Sequence, residues 1–180
     1  MKEGVYQPGE DSYLLQGFVE TLVEGRVLDM GTGSGIQGFT AAQKEEVDWV
    51  LAVDINPQAL EAAKQWAHKH GVSDKMEFRV SDLFQNVEER FNWIVFNPPY
   101  LPAEGPASEA SWAGGAAGTE TIERFLGEAP NHLLPGGAIL LVYSSLTGLK
   151  EDSLRGYKWE VLGKRDLFFE TLFCVRLSPS

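Results

Sequence analysis

The string Asn97-Pro98-Pro99-Tyr100 is the most specific chemical feature of this sequence. Proline fixes its own φ and restricts the residue before it, so the Asn97 side chain and the Pro98 carbonyl are held in fixed directions. A planar NH₂ group can donate hydrogen bonds to both of these oxygens at once, and the ring face of Tyr100 can pack against a flat substrate. We therefore predict that these four residues act on a planar amine or amide.

A second candidate site is the glycine-rich string Asp29-Met30-Gly31-Thr32-Gly33-Ser34-Gly35. Glycine lets the backbone turn tightly and approach a ligand, and the helix that follows offers unpaired N–H groups at its start. This combination predicts a nucleotide-like ligand. Residues 33–38 also match a dinucleotide fingerprint, with Asp54 near the spacing of the ribose-binding acid, so a nicotinamide-dependent oxidoreductase is one alternative.

Acidic residues near the ends of three successive predicted strands favour S-adenosylmethionine over a dinucleotide. Asp29 would repel a pyrophosphate, whereas a sulfonium and an amino group tolerate it. Asp54 can accept hydrogen bonds from both ribose hydroxyls, and Asp82 can meet the adenine amino group with Leu83 against the ring. The Asp-x-Gly-x-Gly-x-Gly pattern resembles motif I of class I S-adenosylmethionine-dependent methyltransferases.

The elements that must position these residues alternate along the chain. An amphipathic helix is predicted over 11–23, with Asp11 or Ser12 as its N-cap and Gly25 as its stop. Apolar runs predict strands at 26–30, 49–54, 76–80, 93–96 and 138–143, and helices are predicted from Pro57 to Gly71 and over 119–126. This order predicts a Rossmann-like, doubly wound α/β fold with a mainly parallel, seven-stranded sheet. The segment 157–177 predicts a closing antiparallel hairpin with a charged turn around residues 164–166.

Composition limits the classes of protein that fit. With 180 residues, 43% hydrophobic and 23% charged, the chain is predicted to form a single domain over 1–180. In that domain, an N-terminal helical segment (1–25) precedes a cofactor and catalytic core (26–143). The net charge of -11 disfavours a nucleic-acid partner. One cysteine and no apparent secretory or membrane segment predict a cytoplasmic protein, and no metal-ligand spacing is present.

Several segments together resemble the small HemK-type methyltransferases of archaea and eukaryotes. They are the opening residues 5–12, the glycine-rich loop, 54–57, 97–100 and 109–115. The resemblance implies methylation of the N5 amide of the glutamine in the Gly-Gly-Gln loop of a class I translation release factor, with S-adenosylhomocysteine as the other product. It also implies a possible small zinc-binding activator protein. The cofactor-binding set is then Tyr6, Pro8, Ser12, Asp29, Gly31, Thr32, Gly33, Gly35, Asp54, Ile55, Asp82, Leu83 and Asn97.

The segment 101–118 is rich in Gly, Ala, Ser, Pro and Glu and follows the catalytic string directly. A loop of this length in a compact domain is typical of a functional element, and we predict a substrate lid anchored by Trp112. An idle insert is the alternative for this loop. For the whole protein, the alternatives are methylation of an exocyclic amine such as N6 of adenine in DNA or RNA, or a non-catalytic module that binds S-adenosylmethionine.

Overall fold

The computed structural model describes residues 8–99 and 119–180. The helices are α1 (Glu10–Leu22), α2 (Ile36–Ala42), α3 (Pro57–Lys69) and α4 (Glu120–Glu128). The strands are β1 (Gly25–Met30), β2 (Val47–Asp54), β3 (Met76–Val80), β4 (Phe91–Phe96), β5 (Leu133–Ser144), β6 (Tyr157–Asp166) and β7 (Thr171–Pro179). Tyr6, Tyr100 and the predicted lid with Trp112 lie outside the described residues.

The seven strands form one sheet in the order β3-β2-β1-β4-β5-β7-β6. Strands β1 to β5 are parallel, while β7 is antiparallel to both β5 and β6. The predicted doubly wound sheet and its closing hairpin are therefore confirmed. The strand order reverses between β1 and β4, and such a reversal opens a ligand crevice at the carboxyl ends of the strands.

A hydrophobic layer covers each face of this sheet. On one face, the strand residues Ile94 and Phe96 pack with Phe125 of α4. On the other face, Val27 and Val95 pack with residues of α1 and α2. Side chains that alternate along β4 thus serve opposite layers, as the two-residue repeat of a strand requires. The two layers leave the carboxyl edge of the sheet as the place for a ligand.

Three predictions about local structure are wrong. Gly9, not Asp11 or Ser12, is the N-cap of α1, and Gly25 begins β1 instead of ending the helix. Asp11 and Ser12 lie in the first helical turn, where both are buried. The hairpin turn lies at 167–170 rather than at 164–166, because residues 164–166 continue the ladder of β6 with β7.

The sheet has two edge strands, β3 and β6, and each carries exposed apolar side chains. Val80 at the end of β3 is 46% exposed, and Val161 of β6 is 48% exposed. Within residues 8–99 and 119–180, no helix combines the length and the apolar character needed to cross a membrane.

Candidate active site

The register of the parallel strands brings the predicted site residues into one row. Met30 of β1 is paired with Val53 of β2 and with Phe96 of β4. The next residues along these strands, Gly31, Asp54 and Asn97, therefore leave the sheet side by side. Adjacent strands are about 4.8 Å apart, so one small ligand can meet all three positions.

The backbone of the glycine-rich loop has positive φ angles that are strained for residues other than glycine. Gly31, Gly33 and Gly35 have φ values of 62°, 53° and 86°. At Gly35 a Cβ atom would also lie 2.9 Å from the Cβ of Ala63 in α3, closer than two carbon atoms approach. The Gly33 N–H donates to Asp54 Oδ2 at 2.9 Å, so the loop and the end of β2 form one unit. Thr32, between these glycines, is buried.

Asp29 holds this loop from beneath. Its Oδ2 atom accepts hydrogen bonds from Thr32 Oγ1 at 2.6 Å and from the Gly38 N–H of α2 at 2.8 Å. The residue is only 2% exposed, and burial raises the pKa of its carboxyl to about 7. The nearby Asp54 charge adds to this rise and the two hydrogen bonds oppose it. A cationic ligand group nearby would favour the ionised form.

Asp54 is oriented by backbone groups on both of its oxygens. Oδ1 accepts from the Asn56 N–H at 2.8 Å, and Oδ2 accepts from Gly33 as described above. Asn56 in turn caps α3 by accepting from the Gln58 N–H at 2.9 Å. Burial raises the pKa of Asp54, while these N–H groups lower it. Each carboxylate oxygen can accept a second hydrogen bond, which a ribose hydroxyl can supply.

The Asn97 side chain is held from α1. Its Nδ2 atom lies 3.0 Å from Asp11 Oδ2 and 3.4 Å from Ser12 Oγ. Its Oδ1 atom is buried and has no hydrogen-bond partner. Among the described residues, only two other buried side-chain polar atoms share this state. Buried acceptors are normally satisfied, so Asn97 Oδ1 is the atom best placed to receive a donor from a substrate.

Asp11 is a site residue that the sequence prediction missed. It is 5% exposed and accepts from the Ser12 N–H through Oδ1 at 2.7 Å, while Oδ2 receives Asn97. Because a carboxylate only accepts, it fixes Asn97 with the NH₂ group toward α1 and Oδ1 away from it. An acid next to the predicted Ser12 on the inner side of an amphipathic helix was the available signal, but it was interpreted as a cap.

Gln37 of α2 was also missed. It is 4% exposed and donates through Nε2 to the Ser12 carbonyl at 2.8 Å, which ties α2 to the first turn of α1. Its Oε1 atom is one of the other buried atoms without a partner. Pro8, just before α1, is partly buried, as is Pro99, while Pro98 is buried beside Asn97.

The segment after β3 carries the two residues predicted to meet the adenine, and both also have contacts within the chain. Asp82 Oδ2 accepts from Arg124 Nη2 of α4 at 3.0 Å. Leu83 is 7% exposed and belongs to the hydrophobic layer that contains Phe84. It has φ +48°, the only positive φ outside glycine in the part of the chain that the structure describes. A non-glycine residue held there is typical of a functional turn. Ile55, after Asp54, is 58% exposed.

The described residues of the crevice contain no cluster of metal ligands. No group of three or more His, Cys, Asp or Glu side chains that could hold a metal ion exists among residues 8–99 and 119–180. The groups that converge are instead a strained glycine loop, oriented carboxylates and an amide with a free acceptor. This set suits an organic ligand with hydroxyl and amino groups and a substrate that donates N–H bonds.

Comparison with known proteins places this site in a class. The sheet order, the glycine loop after β1 and the Asn-Pro-Pro-Tyr string after β4 define a class I methyltransferase. The model of the methyltransferase small domain family matches residues 9–157. The chain belongs to this family, and it is an enzyme.

Two relatives and one solved structure illustrate the likeness. A Methanocaldococcus jannaschii protein, provisionally named as a protein N5-glutamine methyltransferase, is 38% identical over an alignment of 180 residues. The alignment covers 95% of this chain and 90% of that protein. A release factor glutamine methyltransferase of Cereibacter sphaeroides is 35% identical over 132 residues, or 68% of this chain and 48% of that protein. The Pyrococcus abyssi tRNA (uracil-54, C5)-methyltransferase, in complex with S-adenosyl-L-homocysteine, has a TM-score of 0.69 and 18% identity. The structural match covers 98% of this chain and 40% of the tRNA methyltransferase chain.

Proposed function

We propose that this enzyme methylates the side-chain amide nitrogen of a glutamine in the Gly-Gly-Gln loop of a class I translation release factor. The observation that carries the proposal is the buried, unpartnered Oδ1 of Asn97, fixed by Asp11 beside the glycine loop. The names of the Methanocaldococcus and Cereibacter relatives support glutamine, and the second supports a release factor. The net charge of -11 favours a protein over a nucleic-acid substrate.

S-adenosylmethionine is the cofactor, and when bound it supplies an electrophilic methyl group. The site fits it because the glycine backbone leaves room for close approach and Asp54 offers two oriented oxygens. We assign the amino-acid end of the cofactor to Asp29 and the glycine loop, and its ribose to Asp54. We assign its adenine to Asp82, Leu83 and Ile55. Pro8, just before α1, and Ser12, within α1, would close the crevice on that side.

Asn97 and Pro98 orient the nitrogen that is methylated. The two N–H bonds of the glutamine amide are donated to Asn97 Oδ1 and to the Pro98 carbonyl, so the nitrogen lone pair faces the methyl group. Positioning of this kind can contribute roughly 7 to 11 kcal/mol to barrier lowering. The C–S bond of the cofactor would break as the N–C bond forms, which leaves S-adenosylhomocysteine, and the extra proton on nitrogen would pass to water. The predicted contact of Tyr100 with the amide plane lies outside the described residues.

The test is transfer of labelled methyl from S-adenosylmethionine to a purified class I release factor. We expect labelling of the wild-type factor and none of a variant in which the Gly-Gly-Gln glutamine is alanine. An Asn97→Ala enzyme should bind cofactor normally and lose transfer. Labelling of nucleic acid but not of the release factor contradicts the proposal, and so does full activity of Asn97→Ala.

We further propose a small zinc-binding activator protein as a partner. The support is the β3 edge of the sheet, where Val80 is 46% exposed. Covering this side chain on binding would remove apolar surface from water. The segment 101–118 is proposed as the substrate lid. We also propose a cytoplasmic location, which is where a release factor acts in translation.

A further inference from the structure

The turn between β6 and β7 exposes two adjacent phenylalanines. Phe168 is 92% exposed and Phe169 is 84% exposed, and their rings meet edge to face with centroids 4.6 Å apart. Turn positions normally carry Gly, Asn, Asp, Ser or Pro, because these residues satisfy the backbone of a turn. Neither Phe packs in the core, so the fold does not explain them. Adjacent exposed apolar side chains of this size mark an interaction surface.

The turn that carries these rings is well held. The Leu167 N–H donates to the Glu170 carbonyl at 2.8 Å and closes the turn. Thr171 Oγ1 donates to Asp166 Oδ1 at 2.9 Å across its base, and the Thr171 N–H donates to Ser145 Oγ at 3.0 Å. The two rings are therefore presented on a fixed backbone, which lowers the entropy lost on binding.

The strand register places this turn at the catalytic edge of the sheet. Phe96 is paired with Leu141, whose neighbour Val142 is paired with Cys174, so Asn97 lies level with Cys174 two strands away. Phe169 precedes Cys174 by five residues and projects beyond that level. With about 3.4 Å per residue and 4.8 Å per strand, the Phe169 backbone lies roughly 20 Å from Asn97.

The hairpin is also joined to the helix that holds Asn97. Arg165 Nε lies 2.6 Å from Glu10 Oε2, and Glu10 immediately precedes Asp11 in the first turn of α1. Beside this ion pair, a groove of about 440 Å³ opens between α1 and β6, lined in part by the exposed Tyr13. The strand that leads into the turn is therefore tied to the first turn of α1, which carries Asp11.

We propose that Phe168 and Phe169 dock the protein substrate, through an apolar patch of that protein outside its glutamine loop. This inference rests on the proposed function and adds to it the surface that recognises the protein substrate. A standard interface covers about 800 Å² on each partner, which corresponds to a footprint about 32 Å across. Two points about 20 Å apart fit within one such footprint. The protein that delivers its glutamine to Asn97 therefore reaches the turn as well.

The test compares two substrates with one double variant, Phe168→Ser with Phe169→Ser. Both side chains are exposed, so the thermal unfolding of the variant should match that of the wild type. With intact release factor, we expect KM to rise between about 10-fold and 100-fold, with kcat little changed, because aromatic anchors dominate interfaces. With a short peptide that contains the Gly-Gly-Gln loop, kcat/KM should not change. Trp159→Ser is the matched control, since Trp159 is 41% exposed on the same hairpin and is paired with Leu177 at the far end of the sheet.

The outcomes separate this inference from the function on which it rests. If the wild type labels neither release factor nor peptide, both alone and with the proposed zinc-binding activator protein, the proposed function fails and the docking surface fails with it. If the wild type labels both and the double variant keeps its KM for intact release factor, only the docking surface is wrong. An equal loss on factor and peptide, or an equal loss in Trp159→Ser, also contradicts docking. Docking is also contradicted if the wild type is a dimer and the double variant is a monomer with an unchanged KM. In that case the two rings would join two copies of this chain.

Discussion

The substitution Asp11→Asn tests whether the α1 carboxylate sets the direction of the Asn97 amide. Asp11 accepts hydrogen bonds on both oxygens, from the Ser12 N–H at 2.7 Å on Oδ1 and from Asn97 Nδ2 at 3.0 Å on Oδ2. An asparagine at position 11 has one acceptor oxygen and one NH₂ group. The Ser12 N–H belongs to the backbone and cannot turn away, so it should keep the oxygen. The new NH₂ group then faces Asn97, which can satisfy it only by flipping its own amide.

The flip should remove activity while the protein stays folded. With Asn97 reversed, its NH₂ group faces the substrate nitrogen, and one substrate N–H loses its acceptor. A buried donor without a partner costs about 1 to 3 kcal/mol. At 1.36 kcal/mol for each tenfold change in rate, kcat should fall between about 5-fold and 150-fold. Because the Ser12 N–H keeps an acceptor and the new NH₂ group gains Asn97 Oδ1, the free energy of unfolding should change by no more than about 1 kcal/mol.

Steady-state methyl transfer measures kcat and KM, calorimetry measures the affinity for the cofactor, and urea titration measures the free energy of unfolding. Glu10→Gln is the matched control, since it removes one negative charge in the same helical turn from a residue that pairs with Arg165 rather than Asn97. We expect near wild-type kcat on the peptide substrate for this control. A kcat for Asp11→Asn within twofold of the wild type would refute the assigned role of Asp11, as would an equal loss in Glu10→Gln.

Three further predictions concern the cofactor side of the crevice. In the wild type, the pKa of Asp29 is raised from 3.8 to about 7, so the folded state keeps a proton that the unfolded state releases. The free energy of unfolding should therefore fall from pH 4 to pH 7 by on the order of 4 kcal/mol through this group. Asp29→Asn should flatten that fall in urea titrations, and an unchanged slope contradicts the assignment. Gly38→Ala should lower stability by about 1 to 3 kcal/mol, because its Cβ would lie 2.9 Å from Asp29 Oδ2. Gly17→Ala in α1 is its control: no atom lies within 4 Å of that Cβ and alanine has the higher helix propensity, so stability should not fall, and an equal loss there would contradict the clash. Asp54→Ala should weaken cofactor binding at least about tenfold by calorimetry, and Asp48→Ala, at an exposed position of the same strand, should not.

The alternation of strands and helices, the glycine loop and the catalytic string were all predictable because each depends on residues near one another in the chain. Gly31, Gly33 and Gly35 do adopt the positive φ values for which glycine is suited. Asp54 ends the apolar strand β2 and Asn97 directly follows β4, so the rule for carboxyl ends of parallel strands placed them at one edge. The assignment of each residue to a part of the cofactor stays a prediction.

The partners of those residues depended on the tertiary structure. Asn97 is held by Asp11, which lies 86 residues earlier, and Asp82 is joined to Arg124, which lies 42 residues later. No local periodicity predicts such pairs, because they arise only when α1 and α4 pack onto the finished sheet. The turn of the last hairpin was misplaced for a similar reason. Residues 164–166 are charged and indicated a loop, but they pair with β7 and continue β6 as far as Asp166. The turn therefore falls at the exposed Phe168 and Phe169, and the order of the strands in the sheet puts these residues beside the catalytic edge.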